Sequence, residues 1–465
     1  MTLTYSKTKK AMTIETINPY NQEIIKTFTP STTAQINEKL DLAVSAFKDY
    51  RLTSLEFRGE RLLKAGEILL ANQEEYAKLM TLEMGKPIKQ AFAEISKCAL
   101  VCRFYAENAE QFLTPKYIET DASKSFVTYQ PLGAILAVMP WNFPFWQVFR
   151  FLCPTLMAGN VGLLKHASNV PQCALAIESV LLSAGFPEGV FQSLLIESPQ
   201  VEGVLRDSRV KAVTLTGSEL AGKSVASIAG QELKKSVLEL GGSDPFIVLE
   251  DANIEEAVEV AVTARMLNNG QTCIAAKRFI LQDSIAPKFE QLLVEKYQKI
   301  VMGDPFNPNT DLGPLATPAI LRDITNQVNK SVEMGAKVLI GGKSVEGKGN
   351  FYPPTILTDI PVNSPAMTEE FFGPVALLFR VKDLHSSIEL ANSTIFGLGA
   401  SIWTNNEENI KIAVRDIEVG ALFINSLVKS DPRLPFGGTK SSGYGRELSI
   451  EGMHEFLNIK TVWQK

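Results

Sequence analysis

Histidine is scarce in this chain: His166, His385 and His454 are all there is in 465 residues. The five cysteines, Cys98, Cys102, Cys153, Cys173 and Cys273, are scattered with no paired ligand spacing. Together these shortages exclude a zinc site of the usual kind, and no metal is expected. They also exclude a disulfide framework and fit a reducing cytoplasm. No apolar run approaches the ~18 residues that a membrane-crossing helix needs. Met1 to Met12 is polar and basic, without the apolar stretch of a secretory signal, and reads as a flexible lead-in. Positive charge is not in excess either: the formal net charge is −5 and the pI about 5.6. That excludes nucleic acid or an anionic membrane as the main partner. Internal repeats, low-complexity tracts and the Gly-x-Gly-x-x-Gly dinucleotide fingerprint are also missing. What remains is an ordinary globular composition, 45% hydrophobic and 21% charged, on a length that suits about two to four domains.

Taken in order, Ile17-Asn18-Pro19 opens a turn-and-strand unit, and Thr32 to Leu113 is helical in pattern. Leu40, Ala43, Val44 and Phe47 form one apolar stripe; Leu62, Leu63, Ala65, Ile68 and Leu69 form another. Cys98 and Cys102, at i and i+4, belong to the same helical packing, and no chemistry is read in this block. Residues 114–131 alternate like a strand. Residues 132–250 alternate strands (Gly133–Met139, Val161–Leu164, Val190–Ile196, Ala212–Thr216, Ser236–Leu240, Phe246–Leu249) with helices such as Gln172–Ala184 and Glu219–Ala229. This β-α alternation predicts a parallel sheet covered on both faces, with ligands at the carboxyl ends of its strands. A second α/β unit follows, over 250–440.

Two stretches carry candidate chemistry. In Gly270-Gln271-Thr272-Cys273 a thiol follows a polar, glycine-containing turn, and donor-rich surroundings favour the reactive thiolate. In Leu238-Glu239-Leu240-Gly241-Gly242 a carboxylate sits among apolar residues, which raises its pKa towards the range of a general base. Taken singly, the cysteine reads first as a small buried hydrophobe and the glutamate as a solvated strand end; the chemistry rests on the two together with the motifs below. Thr216-Gly217-Ser218 stands where a strand turns into a helix; its backbone N–H groups suit a phosphate, and Ser218 suits a simple helix cap.

The ordered motifs Pro140-Trp141-Asn142-Phe143-Pro144, Leu164-Lys165-His166-Ala167-Ser168, Thr216-Gly217-Ser218, Leu238-Glu239-Leu240-Gly241-Gly242, Gly270-Gln271-Thr272-Cys273, Glu370-Phe371-Phe372-Gly373-Pro374 and Pro435-Phe436-Gly437-Gly438 resemble those of the NAD(P)-dependent, non-acylating aldehyde dehydrogenases. The resemblance covers essentially everything after residue 12. Among the branches it is nearest the bacterial succinate-semialdehyde dehydrogenases of cyanobacterial type. It implies an α/β fold with a Rossmann-like cofactor domain (13–113 and 132–240), an α/β catalytic domain (241–440) and a small β arm for oligomerisation (114–131 and 441–465), in a homodimer or homotetramer.

By the same resemblance Cys273 is the nucleophile, Glu239 the general base and Asn142 an oxyanion donor. Alone, Asn142 also suits a cap for the helix that follows Pro144. Trp141, Lys165, Ser168, Gly217, Ser218, Glu370 and Phe372 fall at cofactor positions. Ser168 stands where NAD-preferring relatives often carry a glutamate, so NADP is expected to be preferred, with NAD possible. On the substrate side, Phe143 and Trp146 are expected tunnel walls and Ser430 a donor. Arg150 is the notable residue. A guanidinium in an apolar stretch is costly unless paired, and eight residues of helix span roughly 12 Å. A substrate carboxylate would pair it bidentately; an internal acid would serve instead. Residues 142, 146 and 150 are expected on one helix face. The substrate expected is succinate semialdehyde. Glutarate semialdehyde or a broad range of small aldehydes is the alternative, and a non-catalytic protein of the same fold the remote one. Ala275, where some relatives carry a second cysteine, removes a regulatory disulfide.

Overall fold

The computed structural model describes residues 13–465, so the expected lead-in at 1–12 lies outside the described residues. Near its start a hairpin, β1 (Ile14–Ile17) and β2 (Ile24–Phe28), precedes four helices: α1 (Thr33–Tyr50), α2 (Leu55–Ala71), α3 (Gln73–Met84) and α4 (Ile88–Leu113). Thr32 caps α1 by a reciprocal capping box, and Gly85, in the left-handed region at φ 76°, ends α3. Two strands, β3 (Lys116–Tyr117) and β4 (Lys124–Pro131), leave this block.

The first α/β unit runs β5 (Ala134–Met139), α5 (Trp146–Met157), β6 (Val161–His166), α6 (Pro171–Ser183), β7 (Phe191–Ser193), α7 (Ser198–Arg206), β8 (Val210–Thr216), α8 (Glu219–Gln231) and β9 (Lys235–Glu239). These strands pair in parallel in the order β9-β8-β5-β6-β7. They are almost wholly buried, as near-continuous Val/Leu/Ile/Ala runs between two helical layers must be. The order reverses across the β5–β8 pair, and ligand crevices open at such a reversal.

The second unit follows: β10 (Asp244–Val248), α9 (Ile254–Met266), β11 (Ala276–Gln282), α10 (Ala286–Tyr297), α11 (Pro318–Glu333), β12 (Lys337–Ile340), β13 (Thr355–Thr358), α12 (Pro365–Thr368), β14 (Val375–Val381), α13 (Leu384–Asn392), β15 (Phe396–Gly397), β16 (Gly399–Trp403), α14 (Glu407–Asp416) and β17 (Ala421–Ile424). Its sheet is ordered β12-β13-β14-β11-β10-β16-β17, with β12 antiparallel to β13 and the other pairs parallel. Apolar clusters cover both faces. The sequence placed Phe246–Leu249 with the strands before it. In the structure this segment is β10 and belongs to the second sheet, because Gly241-Gly242 lets the chain leave the first.

Last come β18 (Thr439–Lys440), β19 (Gly443–Tyr444), α15 (Ser449–His454) and β20 (Leu457–Gln464). β20 pairs along its whole length with β4, and β3 lies on the other edge of β4, which gives a small three-stranded arm. The expected arm segment 441–465 is split in the structure. β19 adds antiparallel to the edge of β9, and α15 packs on α5, so residues 443–454 belong to the first unit.

Candidate active site

Cys273 stands at the end of an unusual loop. Asn268, Asn269 and Gly270 are consecutive left-handed residues, with φ of 56°, 59° and 75°. Asparagine tolerates this region better than other non-glycine residues, but two in succession need support. Their side chains supply it. Asn269 Nδ2 donates to Gly85 O and Pro314 O at 2.9 and 3.0 Å, and its Oδ1 accepts from Gly313 N at 2.7 Å. Asn268 Nδ2 donates to Asn142 O at 2.7 Å. Gly270 is packed so tightly on the Gly373-Pro374 backbone that a Cβ would lie 2.4 Å from Gly373. Lys277, fully buried, donates to Thr272 O at 2.9 Å and Cys273 O at 2.6 Å, and pairs with Glu370 Oε1 at 3.1 Å. The same Glu370 oxygen accepts from Gly242 N at 3.1 Å, which ties the thiol loop to the glycine pair after β9.

The expectation of a thiolate-favouring environment is overturned here. Cys273 opens partly onto a cavity, yet it lies deep enough that burial pushes its thiol up to about 12, with Lys277 and then Arg150 pulling the other way. The polar flank does not solvate the sulfur because its donors are committed to backbone carbonyls. A resting thiol of this kind must be ionised before it attacks, and the general-base candidate is equally sheltered. Glu239, at the end of β9, is 2% exposed, and neither carboxylate oxygen makes a hydrogen bond among the described residues. Burial first, then the neighbouring Glu447 carboxylate, hold its pKa well above the usual range against the pull of Arg150 and Arg446.

Arg150 forms a buried ion pair with Glu447 and places Nη2 3.4 Å from Thr216 Oγ1, with the guanidinium over the Phe436 ring. An internal acid therefore supplies the pairing for which the sequence reading looked to a substrate; Nη1 makes no hydrogen bond among the described residues. The helix carrying Arg150 starts at Trp146 rather than near Pro144, so Asn142 lies in the preceding turn. Trp146 and Arg150 share a face, and Asn142 does not belong to it. Nor is Asn142 a cap: Glu94 Oε1 accepts from Phe145 N and Trp146 N, both at 2.9 Å, and does that work. Asn142 is buried and uses one amide hydrogen on Gln271 O at 3.1 Å, which leaves the other free.

Two cavities meet at Cys273. One, of about 270 Å³, is lined by Phe143, Trp146, Arg150, Thr272, Cys273, Ser430 and Phe436, together with Gln90, Glu94 and Lys97 of α4. The other, also about 270 Å³, is lined by Trp141, Asn142, Thr216, Gly217, Ser218, Leu240, Gly241, Cys273, Glu370 and Phe372. A thiol at the junction of an apolar tunnel and a crevice at the carboxyl ends of β5, β8 and β9 suits a covalent intermediate passed between two ligands. The profile of the aldehyde dehydrogenase family matches residues 5–462. The chain belongs to the aldehyde dehydrogenase family. The relatives agree. It is 58% identical over 452 residues, 97% of this chain and 100% of the relative, to the probable NADP(+) succinate-semialdehyde dehydrogenase of Synechocystis. It is 52% identical to the NADP(+) succinate-semialdehyde dehydrogenase of Mycobacterium avium, with 97% of each chain covered. The crystal structure of the Streptococcus pyogenes succinic semialdehyde dehydrogenase in complex with NADP+ superposes with a TM-score of 0.95 at 39% identity, over 97% of this chain and 99% of that one.

Within this aldehyde dehydrogenase the structure assembles Asn142, Cys273, Glu370, Phe372, Trp141 and the 216–218 turn around one crevice, with Trp141 and Phe372 edge to face at 5.8 Å. Lys165, in β6, is buried and makes no hydrogen bond or ion pair among the described residues; burial lowers its pKa, and Glu197 opposes this. Ser168 is exposed two residues past β6. At the 216–218 turn Gly217 N donates to Glu239 O at 3.0 Å and is committed, while Ser218 Oγ caps α8 by accepting from Ala221 N at 3.4 Å, which leaves its hydroxyl hydrogen free to donate. The helical block read as packing alone also carries site residues. Lys86 lies 3.9 Å from the Phe143 ring and pairs with Glu94; Lys97 donates to Ser430 Oγ at 2.7 Å. Their one signal in the sequence was charge within an otherwise apolar block, Lys86 in the break between α3 and α4 and Lys97 on α4.

Proposed function

We propose that this enzyme oxidises succinate semialdehyde to succinate with NADP. The observation that carries the reading is the pair of cavities sharing Cys273, one with Arg150 and Ser430 on its wall. Cys273 Sγ, its proton lost to solvent, attacks the aldehyde carbon as the thiolate. The resulting thiohemiacetal oxyanion is held by the free amide hydrogen of Asn142 and by Cys273 N–H; one such donor contributes a rate factor of about 10²–10³. As that oxyanion collapses to a thioester, the carbon gives up a hydride, for which NADP bound in the crevice would supply the acceptor. Glu239 then takes a proton from water, which adds to the thioester carbon, and the C–S bond breaks to give the carboxylate and the thiol. Lys165 and Ser168 would hold the adenosine ribose and its phosphate, Glu370 the nicotinamide ribose, and Trp141 and Phe372 the ring. Gly217 and Ser218 wall the crevice.

On the substrate side Ser430 and the open Nη1 of Arg150 donate to the distal carboxylate, and Phe143 and Trp146 form the tunnel. NADP preference is supported by the absence of a carboxylate at Ser168, beside the uncommitted Lys165. The β3–β4–β20 arm, with Tyr117, Ile459 and Trp463 exposed, is proposed to pair with another copy in a homodimer or homotetramer. In the described residues no helix is long and apolar enough to cross a membrane.

Initial rates of reduced-nicotinamide formation with succinate semialdehyde and butanal, each with NADP and with NAD, test the reading. The charged aldehyde with NADP is expected to give the highest kcat/KM. A preference for butanal would move the assignment to a broad small-aldehyde enzyme. Ser168→Glu tests the cofactor half. A carboxylate there would accept from a ribose 2′-hydroxyl and repel a 2′-phosphate, so the NADP/NAD ratio of kcat/KM should fall by about tenfold or more. An unchanged ratio would remove Ser168 from the selection.

A further inference from the structure

We propose that Lys97 is the specificity-determining cation of the substrate cavity: its ammonium, rather than the Arg150 guanidinium, supplies the net positive charge that selects an aldehyde with a carboxylate at its far end. The inference rests on the semialdehyde reading above and deepens it. Arg150 brings one positive charge to the cavity wall, and Glu447, in contact with it and equally buried, cancels that charge. Arg150 can still donate a hydrogen bond there, but the pair as a whole attracts an anion weakly. Lys97 has no such partner. Among the described residues no carboxylate lies within 4.0 Å of its Nζ; its contacts are Ser430 Oγ at 2.7 Å and the Trp146 ring face, 4.0 Å from Nζ to the centroid.

The two nearest acids are committed elsewhere. Glu94, three residues earlier on α4, is bound to Lys86 and to the first N–H groups of α5. Asp431, next to Ser430, is gripped by Arg433 through both oxygens, at 2.8 and 2.6 Å. An ammonium drawn under the surface without a counter-charge is costly, and it persists where a ligand completes the pair. Burial, then the positive charge of Arg150, pull Lys97 down to about 8, which marks the same deficit. The contact with Ser430 adds direction. Because Ser430 Oγ accepts from Lys97, its hydroxyl hydrogen is free to donate elsewhere, and a carboxylate approaching the ammonium can accept from both. The Trp146 face holds the ammonium on the cavity wall by a cation–π contact.

The test compares Lys97→Met and Lys97→Arg with the parent enzyme, on succinate semialdehyde and on butanal, an uncharged aldehyde of the same carbon number, at saturating NADP. For Lys97→Met the ratio of kcat/KM for the charged over the neutral aldehyde should fall by about tenfold or more, carried mainly by KM, and inhibition by succinate should weaken in parallel. Lys97→Arg, which keeps the charge, should keep most of the preference. If the parent enzyme favours the charged aldehyde and Lys97→Met leaves the ratio intact, or loses both substrates equally, Lys97 is not the selecting cation and the semialdehyde reading stands without it. If the parent enzyme does not favour the charged aldehyde, that reading falls and the role of Lys97 with it.

Discussion

Replacing Cys273 with alanine is expected to lower kcat by about 10⁴-fold or more while leaving cofactor and aldehyde binding within a few-fold of the parent. No other thiol can substitute. Cys98, Cys102, Cys153 and Cys173 are buried in the core, and Cys273 is the one cysteine that opens onto a cavity. Removal of Sγ leaves the loop intact, because its shape is set by Asn268, Asn269, Gln271 and Lys277 rather than by the sulfur. The measurement is the absorbance of reduced nicotinamide against time, with binding followed by the fluorescence of Trp141 and Trp146. Activity within tenfold of the parent would remove Cys273 as nucleophile.

The second large effect concerns Glu239. Glu239→Gln preserves the shape of a side chain that makes no hydrogen bond among the described residues, so the fold should be untouched. Steady-state kcat should fall by about 10²–10⁴-fold, the usual worth of a positioned base. A burst of reduced nicotinamide close to the enzyme concentration should survive, and mass spectrometry should find a succinyl group on Cys273. Loss of the burst together with the steady state would place the work of Glu239 before hydride transfer. The pH dependence has a definite sign. Because burial and Glu447 raise the pKa of Glu239, the base form appears as pH rises, and kcat should climb along a limb that the Gln variant lacks. Stability runs the other way. A carboxyl whose folded-state pKa is raised favours folding below its unfolded value and loses that contribution as pH rises through the folded one. The Gln variant should therefore melt at or above the parent temperature at alkaline pH.

Much of this was legible in the sequence because it is local. The alternation of apolar strands and helices placed β5, β6, β8 and β9 within a few residues, and the motifs fell at the carboxyl ends where the crevice opens. The Cys273 loop could be read because its conformation is written in neighbouring residues, Asn268-Asn269-Gly270. What could not be read is pairing across the chain. Glu447 reaches Arg150 only after β19 and α15 fold back on the first unit, and without that contact Arg150 looks like an unpaired charge awaiting a ligand. Lys97 was absorbed into a packing helix because nothing adjacent to it marks the cavity wall. The Cys273 thiol was misjudged for a related reason: residue types near it are polar, but Lys277 and Gln271 direct their polar atoms into the loop, and the sulfur is left with little solvation.

The antiparallel closure of the arm has a consequence for how the protein is made. The second sheet is drawn from one continuous stretch, β10 to β17, and can assemble as soon as that stretch is synthesised. The first unit cannot finish so early. Asn160 donates to Phe456 O across 296 residues, Tyr105 to Ser449 O across 344, and one whole edge of β4 stays unpaired until β20 arrives. At about 5–20 residues per second, roughly 16–65 s of translation separate the two strands. During that interval the ribosome displays an open β edge, the kind of surface that recruits chaperones or another nascent chain. The strand proposed to join finished subunits is thus also the one whose lateness leaves the growing chain most exposed to premature association.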